Sequence, residues 1–168
     1  LKTCSLLKIC RAFASGLYSG YLAPVPGTFG SFLLVAIWYL AQPLGYPQSF
    51  TAQAAICLLL FVVGFLCTRH VLKNLSTAEL TRQTKKHDPS FIVIDEWAGM
   101  LISLTGIQGQ EHFKIICAFA LFRFFDIIKP PPVRWAEKFE GAWGVMLDDI
   151  VAGFLANVVL RAAFHWLV

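Results

Sequence analysis

From Ala12 through Thr68 the chain carries no charged side chain. A water-soluble domain needs charge on its exposed faces, so so long an uncharged run has to be kept from water. Composition agrees: 57% of residues are hydrophobic and 14% charged, against about 25% charged in ordinary globular domains. Mean hydropathy is +0.65. The expectation is an integral membrane protein. The alternative is a compact helical bundle, monomeric or dimeric, that covers the same apolar surface by packing alone.

Five apolar stretches stand out, at 31–46, 50–68, 91–107, 113–128 and 145–168. Breakers separate them: "AQPLGYPQ", "TGIQGQE" and "KPPPVRW". Two-residue alternation is absent, which favours helices over barrel strands. About 20 residues cross a bilayer core; the stretch 50–68 is long enough, whereas 31–46 and 91–107 are short for a full crossing. The segment 69–90 is hydrophilic and is expected outside the lipid. The fold class expected is therefore all-α, a multi-helix membrane-embedded bundle of about four to five apolar helices, forming a single domain over 1–168. The five cysteines are odd in number and lack a CxxC, so they read as reduced packing residues. A chain beginning on Leu1 is expected to lack its natural start, and no cleavable signal peptide is expected in 1–11.

Four of the five aspartates touch apolar stretches. Asp95 with Glu96 lies near the start of the third stretch, Asp126 at the end of the fourth, and Asp148 with Asp149 at the start of the fifth. If successive stretches cross in alternate directions, all three positions fall on one side of the membrane. Of the 14 lysines and arginines, all but Lys114 and Arg161 fall on that same side. The Lys/Arg excess marks the cytoplasmic side, so the acidic face is expected to meet the cytoplasm.

Carboxylates at membrane depth are costly and mark functional sites. Three uses compete: ligands for a hard divalent ion such as Mg²⁺, a proton or cation pathway, and structural ion pairs such as Arg123 with Asp126. The stretch "APVPGTFGS" places Gly27, Thr28, Gly30 and Ser31 just before a helix. It can cradle a phosphate on backbone N–H groups or simply form a capped Pro/Gly turn. It lacks the GxxxxGK[ST] of a nucleotide-binding loop. Arg123, Lys129 and Arg134 in "FRFFDIIKPPPVRW" are candidates to hold a phosphate, or else cations that serve lipid headgroups. Carboxylates for metal beside cations for phosphate suit metal-assisted phosphate-ester hydrolysis, with Asp95, Asp148 and Asp149 as the catalytic candidates. His87, next to Asp88, could bind metal or shuttle a proton. No CxxxxxR or DxDx[TV] pattern occurs. Trp97, Trp135, Trp143 and Trp166 read as interface anchors.

Four blocks now carry a likeness: "SGYLAPVPGTFGS" (19–31), "HDPSFIVIDEWAGM" (87–100), "FRFFDIIKPPPVRW" (122–135) and "GAWGVMLDDIVAG" (141–153). In that order they resemble the phosphatidylglycerophosphatase A family from about residue 12 to 160. One departure is "GLYSG", where Leu17 and Tyr18 stand in an approach that is commonly glycine-rich. The resemblance implies a Mg²⁺-dependent lipid phosphatase of the bacterial inner membrane, multi-pass, its site facing the cytoplasm. It would hydrolyse phosphatidylglycerophosphate to phosphatidylglycerol and phosphate. Asp95, Glu96, Asp126, Asp148 and Asp149 fall in the family's acidic motifs and are the expected metal set. Thr28, Arg123, Lys129 and Arg134 fall in its other motif positions and are the expected phosphate contacts. The partners expected are a phospholipid substrate and the membrane, with no nucleic acid; self-association stays open. Rival readings are an ion-coupled transporter using the same carboxylates, a non-catalytic assembly subunit, and a phosphatase of a different ester.

Overall fold

Pro26 starts the first long helix. Its fixed φ and missing N–H suit a first helical turn, and the run that follows has no breaker until Pro43. The computed structural model describes residues 2–22, 24–75 and 89–166. Within them the secondary structure is helical, with no strand. The helices are α1 (Lys2–Ala14), the single turn α2 (Ser19–Leu22), α3 (Pro26–Ala41), α4 (Phe50–Lys73), α5 (Ile94–Leu104), α6 (His112–Ile128), the short α7 (Pro131–Ala136) and α8 (Ala142–Trp166). A 3₁₀ turn, Gln42–Leu44, extends α3.

Three helical stretches are long and apolar enough to cross a membrane: Pro26–Leu44, Phe50–Lys73 and Ala142–His165. The first apolar stretch is thus longer than its sequence suggested, because Pro26 and the glycines join the helix instead of preceding it. The third is shorter: α5 has 11 residues, about 16 Å, too little to span. His87 and Asp88, and most of the hydrophilic segment, lie outside the described residues.

Helix α5 is held against α8 over its whole length. Gly99 faces the backbone of Asp149 and the Phe122 ring, and Gly153 faces the Gly99 carbonyl. Further along, Asn157 Nδ2 donates to the Ser103 carbonyl at 3.0 Å. The Gly99–Gly153 and Ser103–Asn157 pairs share one sequence offset, 54, so α5 and α8 run parallel and in register. Helix α6 runs the other way: Phe113 meets Phe164 at one end and Asp126 meets Asp149 at the other. The alternation expected of the third to fifth stretches is therefore present, and one end of the bundle carries all three acidic motifs.

The far end explains how so short a helix survives. The last carbonyls of a helix have no intrahelical partner, and at membrane depth each must find one. Asn157 Nδ2 also donates to Ile102 O at 3.2 Å and Thr105 O at 2.9 Å. Arg161 Nη2 donates to Thr105 O at 2.9 Å, and its Nε to Asn157 Oδ1 at 2.7 Å. Gln53, 1% exposed, accepts from Gly106 N at 2.6 Å and donates to Pro47 O at 3.0 Å. Asn157→Leu leaves the buried Ser103 carbonyl without its donor and takes one donor each from Ile102 O and Thr105 O. It is expected to cost about 2–3 kcal/mol, a fall in Tm of roughly 4–12 °C at 2–4 °C per kcal/mol. Thermal unfolding in detergent reads this, and a variant that melts with the wild type would show the network to be dispensable.

Candidate active site

At the other end of the α5–α8 pair, the first turn of α5 and the segment about two turns into α8 carry the acids. Asp95 lies one turn before Gly99 and Asp149 one turn before Gly153. Close approach of the glycines therefore brings the two carboxylates together. One oxygen each of Asp95, Glu96 and Asp149 lie within 4.8 Å of one another. Asp95 and Asp149 are each 3% exposed and Asp148 is 6%. Asp126, Asp148 and Glu96 are all close enough to Asp149 to act on it electrostatically, and Asp126 lies within hydrogen-bonding reach of it. Asp149 stands seven residues into α8, roughly 10 Å below the start of the helix. The five acids thus form one cluster, with Asp95, Asp148 and Asp149 buried and Glu96 and Asp126 partly so.

Two basic residues close the cluster. Arg123 Nη1 pairs with Asp126 Oδ2 at 2.8 Å and approaches Ser31 Oγ at 3.4 Å. The structural pairing expected of Arg123 and Asp126 is present, and it aims the guanidinium at the acids. Lys129 Nζ bridges Asp148 Oδ2 at 2.7 Å and Glu137 Oε1 at 2.9 Å. Burial alone would lower the Lys129 pKa, but these carboxylates outweigh it and hold the ammonium above its ordinary range. Lys129 therefore keeps its charge at any working pH. Its backbone sits in the left-handed region, φ 49°, where a helix usually ends on glycine. That conformation costs about 1–2 kcal/mol in a residue with a Cβ. The three prolines that follow prevent the helix from continuing.

The first block contributes differently from expectation. Gly27 faces Glu96 Oε1, and a Cβ there would also come within 3.3 Å of Arg123 Nη2. Ser31, one turn on, is fully buried and donates to the Gly27 carbonyl at 2.8 Å. Thr28 is half-buried about 100° around the helix and makes no described contact with the acids. Arg134 is exposed on α7, with no side-chain hydrogen bond or ion pair described. Of the expected phosphate contacts, the fold therefore assembles Arg123 and Lys129 and leaves Thr28 and Arg134 outside. Ser31, named in the same stretch as Thr28, takes part, and so does Glu137, which was not singled out. The serine had a signal, its hydroxyl one turn after Gly27; the glutamate, on an exposed helix end, had none.

Leu17 and Tyr18 are explained by backbone geometry. Both adopt left-handed φ, 55° and 69°, directly after Gly16 at 54°. These are conformations glycine takes without strain. The turn is held by Tyr18 N donating to Ser15 Oγ at 3.1 Å and Val93 N donating to Ala14 O at 2.9 Å. It docks the end of α1 onto the start of α5. Trp97 is not the interface anchor its position suggested. It is half-buried against this turn, and its indole nitrogen is sealed inside without a partner. Trp135 and Trp143 are 63% and 48% exposed. Cys10, Cys57, Cys67 and Cys117 are free thiols.

The donor set suits a hard cation. It is all carboxylate oxygen, two of its atoms, Glu96 Oε2 and Asp148 Oδ1, are buried without a partner, and so many like charges this close repel unless something positive lies among them. Opposite them stand two cations of the kind that grip phosphate oxygens.

Residues 12–164 match the family model described as Phosphatidylglycerophosphatase A. A phosphatidylglycerophosphatase A of Haemophilus influenzae is 37% identical over 99% of this chain and 96% of its own length. One of Escherichia coli K12 is 32% identical over 91% of this chain and 83% of its own. A candidate phosphatidylinositol-3-phosphatase of Bacteroides thetaiotaomicron is 34% identical over 92% of each chain. No solved structure matches the chain significantly. With three helices of spanning length and bacterial relatives along nearly its whole length, the chain is a bacterial membrane protein, and it belongs to the phosphatidylglycerophosphatase A family.

Proposed function

We propose that the protein is a membrane phosphoric monoester hydrolase that removes the terminal phosphate of phosphatidylglycerophosphate, leaving phosphatidylglycerol. The observation that carries this is the meeting of Asp95, Glu96 and Asp149 with Arg123 and Lys129 beside them. Family membership supplies the substrate. Asp95, Glu96 and Asp149 would hold Mg²⁺. When bound, the ion would neutralise charge on the phosphate and make water a better nucleophile. Arg123, steadied by Asp126 and Ser31, would grip the phosphate from one side and Lys129 from the other. Asp148 Oδ1 is the oxygen left free while Lys129 holds Oδ2, so it is the atom placed to accept a proton from the attacking water. Burial of the acids lets the headgroup leave bulk water while the chains stay in lipid. The site is read as cytoplasmic because, among the described residues, the Lys/Arg excess lies at its end of the bundle. Lys114 and Arg161, the exceptions, share one cavity at the other end.

Purified protein should release phosphate from phosphatidylglycerophosphate, lose that activity in EDTA and regain it with Mg²⁺. A panel including phosphatidylinositol 3-phosphate separates the two activities for which its relatives are named. No release from phosphatidylglycerophosphate would overturn the assignment, and release unaffected by EDTA would overturn the metal. A transporter would release no phosphate at all.

A further inference from the structure

On the face of α5 away from the acids lies a groove of about 380 Å³ lined only by apolar and aromatic residues of α1, α3, α4 and α5 and by Tyr46. Its floor is Leu34, Trp38 and Leu101, 6%, 2% and 5% exposed. Its lips, Phe13, Ile37 and Leu59, are 42%, 41% and 64% exposed. Two features place the groove beside the candidate active site. Trp97 directly follows Glu96 and lines its upper end together with Phe13. And the face of α3 that presents Gly27 to Glu96 and Ser31 to Arg123 continues through Leu34, Trp38 and Ala41 at alternating steps of four and three residues, which is one helical stripe. That stripe runs from the acids toward the far end of the bundle.

We infer that this groove holds an acyl chain of the lipid substrate and so sets which chain lengths are taken; the inference rests on the lipid-phosphatase reading above. A headgroup clamped between Arg123 and Lys129 leaves its chains pointing into the bilayer along α3, where the groove begins. Its volume is at the lower end of the ~300–1,000 Å³ of small-molecule pockets, enough for a hydrocarbon tail and lacking any group that would hold a headgroup. The rival occupants are bulk lipid, exchanging without selectivity, and an apolar helix of another protein.

The lips allow a test that spares the core. Ile37→Trp and Leu59→Trp place bulk over the groove from exposed positions. With dipalmitoyl phosphatidylglycerophosphate, KM should rise on the order of tenfold while kcat holds; with the dihexanoyl form, both constants should stay at wild-type values. An unchanged preference between the two substrates, or an equal loss on both, would overturn the inference. A second arm needs no turnover. In EDTA, phosphatidylglycerophosphate carrying a diazirine at the end of one chain should label peptides containing Ile37 or Leu59. Excess unlabelled substrate should suppress the labelling and phosphatidylcholine should not; equal suppression by both would identify the occupant as bulk lipid. Absence of phosphate release by the wild type, with selective labelling retained, would overturn the activity and leave the groove standing.

Discussion

Asp149→Asn is expected to abolish turnover while leaving the fold intact. Asn has the same shape as Asp but no charge. Asp149 is 3% exposed and has Asp126, Asp148 and Glu96 around it, so removing its charge relieves repulsion and costs no packing. Stability in detergent should therefore hold or rise. Catalysis should not survive. The variant removes an anionic oxygen from the three that meet within 4.8 Å. An amide is a poorer ligand for a hard cation than a carboxylate, so the ion that would make water a better nucleophile is lost or displaced. A displacement near 1 Å alone costs on the order of 10²-fold, and loss of the ion would deepen it. Steady-state kcat at saturating Mg²⁺, with a melting curve on the same preparation, reads both halves. Full activity would remove Asp149 from its assigned place, and an unfolded variant would show the charge to be structural.

The acids could be read from the sequence because each is conspicuous, a charge within an apolar run. Their convergence could be read because helices of alternating direction bring a start, an end and a start to one side, and α5, α6 and α8 obey that rule. The lengths of α3 and α5 could not be read as well. A proline and glycines look like a turn when they open a helix, and an apolar run looks like a span when its far carbonyls are satisfied by another helix. Gln53, Asn157 and Arg161 do that work through backbone contacts about 50 residues away in sequence, and no local pattern announces such partners. Thr28 was drawn in by its hydroxyl; one step round the helix, Gly27 and Ser31 hold the face toward the acids. Arg134 shares a block with Lys129, but Pro130 to Pro132 redirect the chain and α7 presents Arg134 outward.

Gly153→Ala is expected to lose most activity although no atom of Gly153 belongs to the candidate catalytic set. A Cβ at this position would collide with the Gly99 carbonyl oxygen and come within 2.9 Å of Gly99 Cα. Those are backbone atoms, so relief requires α5 and α8 to move apart. Two effects oppose each other. Alanine favours the helix over glycine by about 1 kcal/mol, while overpacking a tight interface costs roughly 1–3 kcal/mol, so the net change in stability is small or unfavourable. The rate is more exposed. Asp95 and Asp149 each lie one turn from the contact, so separating the helices separates the carboxylates, and a displacement near 1 Å costs on the order of 10²-fold. The control is Gly64→Ala in α4. It gains the same helix propensity, but its Cβ meets only side-chain atoms, Ile94 Cγ1 and Met146 Cε, both at 3.1 Å, and methionine adapts readily. That variant should keep activity within a few-fold. Equal rates for the two glycine variants would mean that the α5–α8 contact does not set the spacing of the carboxylates. Loss in Gly153→Ala alone, with a folded protein and weakened protection by Mg²⁺ against thermal unfolding, is the outcome the parallel, in-register pairing of the two helices requires.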